Sequence, residues 1–243
     1  MCCNKIVGRK IIIFIVTCFL LALAGVADAH RDDYINETLV YGTLEQSEVE
    51  GEYWFDYGYK SNHRGDFLRH NIAAEWGITD HWMVDIRTTL KKKTGDNPTF
   101  DSGRIESRYR LFNEGDLPVD VAISWEINWK RLENGSVRTG IEPRLILSRD
   151  FNKKLNITFN LSDEIPLDSS QSAMQVALGF RYNWNDLTRL GSELQYDTFE
   201  HMGSVIPQMW FALPDDIALK IGYSIGLDRN NENFARVALE VEF

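Results

Sequence analysis

Cysteine is scarce in this chain, and all three residues, Cys2, Cys3 and Cys18, fall within its first twenty-three positions. That region has the layout of a secretory leader. Lys5, Arg9 and Lys10 form a basic start, Ile11 to Leu23 an apolar run, and Ala27-Asp28-Ala29 a small-residue cleavage box before His30. The expected mature chain, about 214 residues, therefore has no disulfide and no thiol chemistry. Beyond the leader no apolar run is long enough for a membrane-spanning helix, which needs roughly 20 residues. Positive charge is also in deficit. The chain holds 26 Lys and Arg against 36 Asp and Glu. Losing three cations and one carboxylate with residues 1–29 moves the net charge from −10 to −12, which argues against a nucleic-acid partner. No phosphate loop, nucleotide fingerprint or zinc spacing appears, so neither cofactor nor metal is expected.

What is abundant is aromatic: 7 Trp, 9 Tyr and 13 Phe. They sit in segments whose apolar and polar residues alternate. Val119, Val121, Ile123, Trp125, Ile127 and Trp129 share one face of an extended chain; Asp120, Ala122, Ser124, Glu126, Asn128 and Lys130 share the other. Ile217–Asp228, Met174–Trp184, Leu155–Leu161 and Trp82–Lys91 repeat the pattern, and 47–60, 66–78, 103–113, 136–149, 187–199 and 203–213 do so less regularly. The final segment places Ala235, Val237, Leu239, Val241 and Phe243 opposite Arg236, Glu240 and Glu242.

The expected fold is all-β: a transmembrane antiparallel up-and-down barrel of about 12 strands. A soluble barrel shows the same alternation but turns its apolar face inward. Here the polar face carries charges of both signs, which a dry core would not accept. Tyr57, Tyr59, Trp82, Trp129, Tyr182, Trp184 and Phe243 fall near strand ends, where interfacial aromatics sit. Turn-rich connections at 79–80, 113–116, 150–153, 184–186 and 214–216 alternate with other loops, some longer, at 61–65, 91–103, 134–136, 164–172, 201–203 and 228–233. Three regions follow: a leader at 1–29, a periplasmic pre-barrel segment or small plug at 30–46, and the barrel at 47–243.

The last strand resembles the closing strand of bacterial outer-membrane barrels, a resemblance that implies recognition of Phe243 by the barrel-assembly machinery. Glu75-Trp76-Gly77-Ile78-Thr79-Asp80-His81-Trp82, and Glu106 to Leu111 followed by Leu117-Pro118-Val119-Asp120, resemble the MetA-pathway-of-phenol-degradation family. That resemblance covers about half the mature chain and implies an outer-membrane location and transport, with no catalytic residue.

With the apolar faces against lipid, the lumen is expected to hold Asp85, Arg87, Arg104, Glu106, Arg108, Arg110, Asp120, Glu126, Lys130, Glu142, Arg144, Arg181 and Lys220, together with Glu50, Glu52, Asp56, Arg69, Glu75, Glu193, Asp197, Arg236, Glu240 and Glu242. Arg104, Arg108 and Arg110 form a basic stripe that faces Asp85 on one side and Asp120 and Glu126 on the other. The expected function is non-enzymatic passage of small solutes through this charged lining. Twelve strands lie between a filled lumen and a water channel, so an open pore and a salt-bridged plug are both compatible with the count. Two alternatives remain: a rim-site hydrolase, for which His70 is the candidate, and a closed structural or assembly barrel. His63, His81 and His201 read as rim or loop histidines, and His30 as the new N-terminus.

Overall fold

A computed structural model describes residues 33–36, 38–60, 66–93, 95–132, 134–168, 171–214, 216–228 and 231–243, with only the backbone of Tyr59, Lys60 and Lys153. The leader expected at 1–29, His30 and His63 lie outside the described residues. The strands are β1 (Val49–Lys60), β2 (Asp66–Thr79), β3 (Trp82–Lys93), β4 (Thr99–Arg110), β5 (Asp120–Arg131), β6 (Val137–Phe151), β7 (Leu155–Pro166), β8 (Ala173–Asn185), β9 (Thr188–Asp197), β10 (Met202–Leu213), β11 (Ile217–Gly226) and β12 (Glu232–Glu242). Each pairs antiparallel with its sequence neighbours, and β12 returns to β1 over Glu50↔Glu242 to Lys60↔Glu232. Closure leaves no unpaired strand edge. The expected twelve-strand barrel is what the chain forms.

The period of two determines the two surfaces. Ile72, Trp76, Ile86, Trp125, Ile127, Tyr223 and Val237 point outward, with Ile86 and Trp125 each 58% exposed. The charged residues alternate with them and point in. Part of the outer wall covers itself: Phe159, Val176 and Leu178 are buried under Leu147, Ile157, Leu161 and Leu194.

One end of the barrel carries links of two or three residues at 80–81, 152–154, 186–187 and 214–216. This is the turn end. Trp82, Tyr182, Trp184 and Phe243 are exposed there, and the backbone N–H of Phe243 donates to Val49 O at 2.8 Å. Tyr57 and Trp129 mark the opposite, loop end; Tyr57 is half exposed and donates to Asp66 at 2.9 Å. The tight hairpin between β5 and β6 shows why such links form. Asn134 Oδ1 accepts the Ser136 N–H at 3.0 Å, and Gly135 takes φ +87°, a conformation that side chains disfavour.

Two local expectations are corrected. The link expected to be short at 113–116 is the longest at the turn end, 111–119, because β4 stops at Arg110 and β5 starts at Asp120. The loop expected at 91–103 shrinks to 94–98. Strand β4 begins at Thr99, and a bulge at Asp101 absorbs the irregularity that hid its alternation. Two prolines sit inside strands. Pro143 and Pro207 have no N–H to give, and the paired register skips beside each, between Ile141 and Arg144 toward β7 and between Val205 and Gln208 toward β11.

Candidate functional site

The lumen is built from the inward residues of all twelve strands and from residues 33–46, which enter it from the turn end. Gly77 is the doorway. The Ser47 N–H donates to Gly77 O at 2.8 Å, and a Cβ on Gly77 would lie 1.8 Å from Glu45 O. From there Tyr41, Val40, Leu39, Ile35 and Tyr34 are all buried inside the barrel. The chain turns back at 34–38, where Tyr34 N–H donates to Thr38 O at 3.1 Å and Asp33 accepts the Val40 N–H at 2.7 Å.

Side chains of the wall hold this segment. Glu193, fully buried, accepts the Asn36 N–H at 2.8 Å, the Thr38 N–H at 3.1 Å and the Thr38 hydroxyl at 2.6 Å. Gln208 accepts the Ile35 N–H and Asn160 accepts the Leu39 N–H, both at 2.8 Å. Arg108 grips both oxygens of Asp33, at 3.0 and 2.7 Å, and also bonds Glu106. Lys220 donates to Asp33 O at 2.9 Å and pairs with Glu240. Apolar contacts complete the seat. Ile35 packs with Trp54, Ile206 and Ala238, and Tyr34 meets Trp210 edge-on with ring centroids 5.6 Å apart. The Tyr34 ring fills the space where Gly179 lacks a side chain; a Cβ there would come within 2.5 Å of it. Burial, reinforced by Glu114, pushes the Tyr41 hydroxyl well above its ordinary value, so it remains a neutral phenol.

A belt of ion pairs lies around the segment. Arg236 binds Asp56 through two nitrogens at 2.6 and 2.8 Å and donates to Ile35 O at 2.7 Å. Arg87 pairs with Glu52 and lies 3.7 Å from the Trp54 ring centroid. Arg104 reaches Asp85 at 3.2 Å and Glu126 at 3.4 Å, and Arg144 reaches Glu142 at 2.7 Å.

Among the described residues two cavities flank the segment, one on each side. The loop-end vestibule, about 550 Å³, is lined by six basic side chains, Arg104, Arg144 and Lys130 among them, and six acidic ones. The turn-end vestibule, about 620 Å³, is lined by Glu45, Glu48, Glu50, Asp80, Glu114 and Glu242 against only Arg110 and Arg181. The cavity lined by Asp33 and Arg108 between them is only about 10 Å³, at the lower bound of what a single water molecule needs.

Of the residues expected in the lumen, Asp85, Arg87, Arg104, Glu106, Arg108, Asp120, Glu126, Glu142, Arg181 and Lys220 are buried on the inward face, and Arg144 is nearly so. Lys130 is exposed at the loop-end mouth. Arg110 is half-buried at the turn end and donates to Asp80 O at 2.7 Å. The arginine stripe is therefore divided: Arg104 faces one vestibule, Arg110 the other, and Arg108 holds the segment. Arg104 meets Asp85 and Glu126, whereas Asp120 accepts the Gly115 N–H at 2.9 Å. Sequence reasoning passed over the neutral residues Asn160, Gln195 and Gln208 and the inward Trp54 and Trp210. Their only signal was their phase, since they alternate in step with the charged positions.

The histidines have ordinary partners. His70 Nδ1 lies 2.7 Å from the Tyr53 hydroxyl and its ring packs on Phe55, on the outer surface. His81 bonds Arg110 O, and His201 lies 3.4 Å from the Tyr196 hydroxyl. Among the described residues no serine bonds any of these rings.

No family model and no curated protein matches the chain, so membership of the MetA-pathway family is not shown. Solved structures do match. The COG4313 outer membrane channel from Pseudomonas putida F1 aligns over 87% of this chain and 100% of its own, with TM-score 0.63 and 11% identity. The NanC porin aligns over 79% and 98%, with TM-score 0.60 and 14% identity. The KdgM porin aligns over 80% and 99%, with TM-score 0.59 and 9% identity. At such identities the likeness is one of fold.

Proposed function

We propose that this chain is an outer-membrane channel for small polar solutes, kept shut at rest by its own residues 33–46. The observation that carries this reading is the pair of polar vestibules facing each other across a segment that no strand ladder secures. Wall side chains hold 33–46 through separately breakable bonds, and neutral ones such as those from Gln208 and Asn160 are each worth about 1 kcal/mol net. A barrel serving only as a wall has no need of two solute-sized chambers. The porin-like fold of the neighbours supports the same direction.

The membrane part of the proposal rests on the apolar outer belt. Ile86 lies near the middle of β3 and faces out. Ile86→Arg is expected to cost about 2–4 kcal/mol of stability in lipid vesicles, read by denaturant titration. A cost near zero would sink the bilayer placement, since an arginine on a water-facing wall is cheap.

For transport, the test is single-channel recording of the refolded protein in planar bilayers. Expected are long closed periods broken by brief discrete openings. Their reversal potential under a salt gradient should show cation preference, set by the acidic turn-end vestibule. Permanent silence from a correctly folded barrel would favour the closed structural reading, and anion preference would remove the turn-end carboxylates as the selecting groups.

A further inference from the structure

The wall groups that hold residues 33–41 recognise a polypeptide backbone more than they recognise this particular sequence. Asn160 accepts the Leu39 N–H and donates to the Leu39 C=O, both at 2.8 Å, a two-point contact with the main chain of one residue. Gln195 donates to Asn36 O at 2.6 Å, Gln208 accepts from Ile35 N–H, and Arg236 donates to Ile35 O. Glu193 takes the N–H groups of Asn36 and Thr38. These groups come from β7, β9, β10 and β12 and meet amides that follow one another along the chain. A slot accompanies them: Gly179 and Trp210 shape it for the Tyr34 ring, and a Cβ on Gly222 would lie 3.0 Å from Ile35 Cγ2. Filling a lumen requires only packed apolar groups. Buried amides and a carboxylate aimed inward cost free energy unless a partner rich in N–H and C=O sits against them.

We propose that this row is a peptide-recognition site, that residues 33–41 occupy it as a built-in pseudo-ligand, and that the solutes admitted are short peptides with an aromatic residue followed by an aliphatic one. The proposal rests on the channel reading and specifies its substrate class. Tethering gives the resident segment an effective concentration on the order of millimolar, so a free peptide binds well only when that segment is loosened.

Asp33→Ala in the full-length protein removes the Arg108 anchor and leaves the wall row intact. Its fold is checked by heat-modifiable migration, with Asp33→Asn as the second variant. A fluorescent peptide with the sequence of residues 33–41 is titrated against it in detergent and followed by anisotropy. Saturable binding is expected, with a scrambled peptide roughly 10-fold weaker. Adding Asn160→Leu should cost a similar factor, because it removes two bonds to one residue. Equal binding of the scrambled peptide, indifference to Asn160→Leu, or no saturation by about 1 mM would overturn the proposal. So would displacement by an N-acetylated disaccharide as readily as by unlabelled peptide. Anisotropy does not depend on conduction. Specific binding to a barrel that never conducts would overturn the channel reading and leave the site, whereas conduction without binding would overturn the site alone.

Discussion

Gly179→Val is expected to turn a mostly closed barrel into a mostly conducting one. Even a single Cβ at this position would stand 2.5 Å from Tyr34 Cζ, 2.6 Å from Cε2 and 2.8 Å from Cε1. The ring has no room to step aside: Tyr34 is 1% exposed, Trp210 stands edge-on against it, and its hydroxyl donates to Asn156 at 3.1 Å. The strand holding residue 179 is paired on both sides and cannot retreat, so the ring must leave. Losing its buried area and its hydrogen bond weakens the seat by about 2 kcal/mol or more, roughly a 30-fold shift toward the open state. Open probability in a planar bilayer is the measurement. Gly179→Ala should give a smaller effect of the same sign. A folded Gly179→Val barrel as silent as the parent would mean that residues 33–46 do not control passage.

The second large effect is on stability. Asp56 is fully buried and accepts two bonds from Arg236 and one ion pair from Arg69 at 3.2 Å. Removing its carboxylate takes the paired anion from Arg236 in a confined lumen and leaves Arg69 to Glu232, 3.2 Å away. Breaking a buried pair from one side typically costs about 3–5 kcal/mol, and Asp56→Ala should lose that much in urea-driven unfolding in lipid vesicles. Asp56→Asn keeps the shape and one acceptor and should lose less. The control is Arg138–Asp168 at the rim, whose side chains are 42% and 55% exposed; breaking it should cost under about 1 kcal/mol. Equal losses at the two sites would show that the lumen screens charge as freely as bulk water.

The strands were legible because each is a two-sided surface with a simple period. Ile217, Leu219, Ile221, Tyr223 and Ile225 needed only counting. Where the period breaks, legibility fails for a local reason: the Asp101 bulge shifts the phase of β4, and the long 111–119 link contains turn-forming residues that read as a tight hairpin. The inward charges were legible by the same count, but their pairing was not. Arg104, Arg108 and Arg110 look alike in sequence. Only position along the barrel gives the first a pair of wall carboxylates, the second the anchor at Asp33 and the third a place in an acidic vestibule. Residues 33–46 lack a sustained alternation, and their backbone is satisfied by Glu193, Asn160 and Gln208, more than 100 positions away.

By itself the sequence determined an antiparallel barrel wall of about twelve strands, because side-chain alternation is a property of each strand alone and needs no partner. Whether the lumen is open was decided only by the tertiary structure. That depends on what lies across the barrel at the same height, Gly179 opposite Tyr34 and Arg108 opposite Asp33, and such distances do not exist until the sheet has closed.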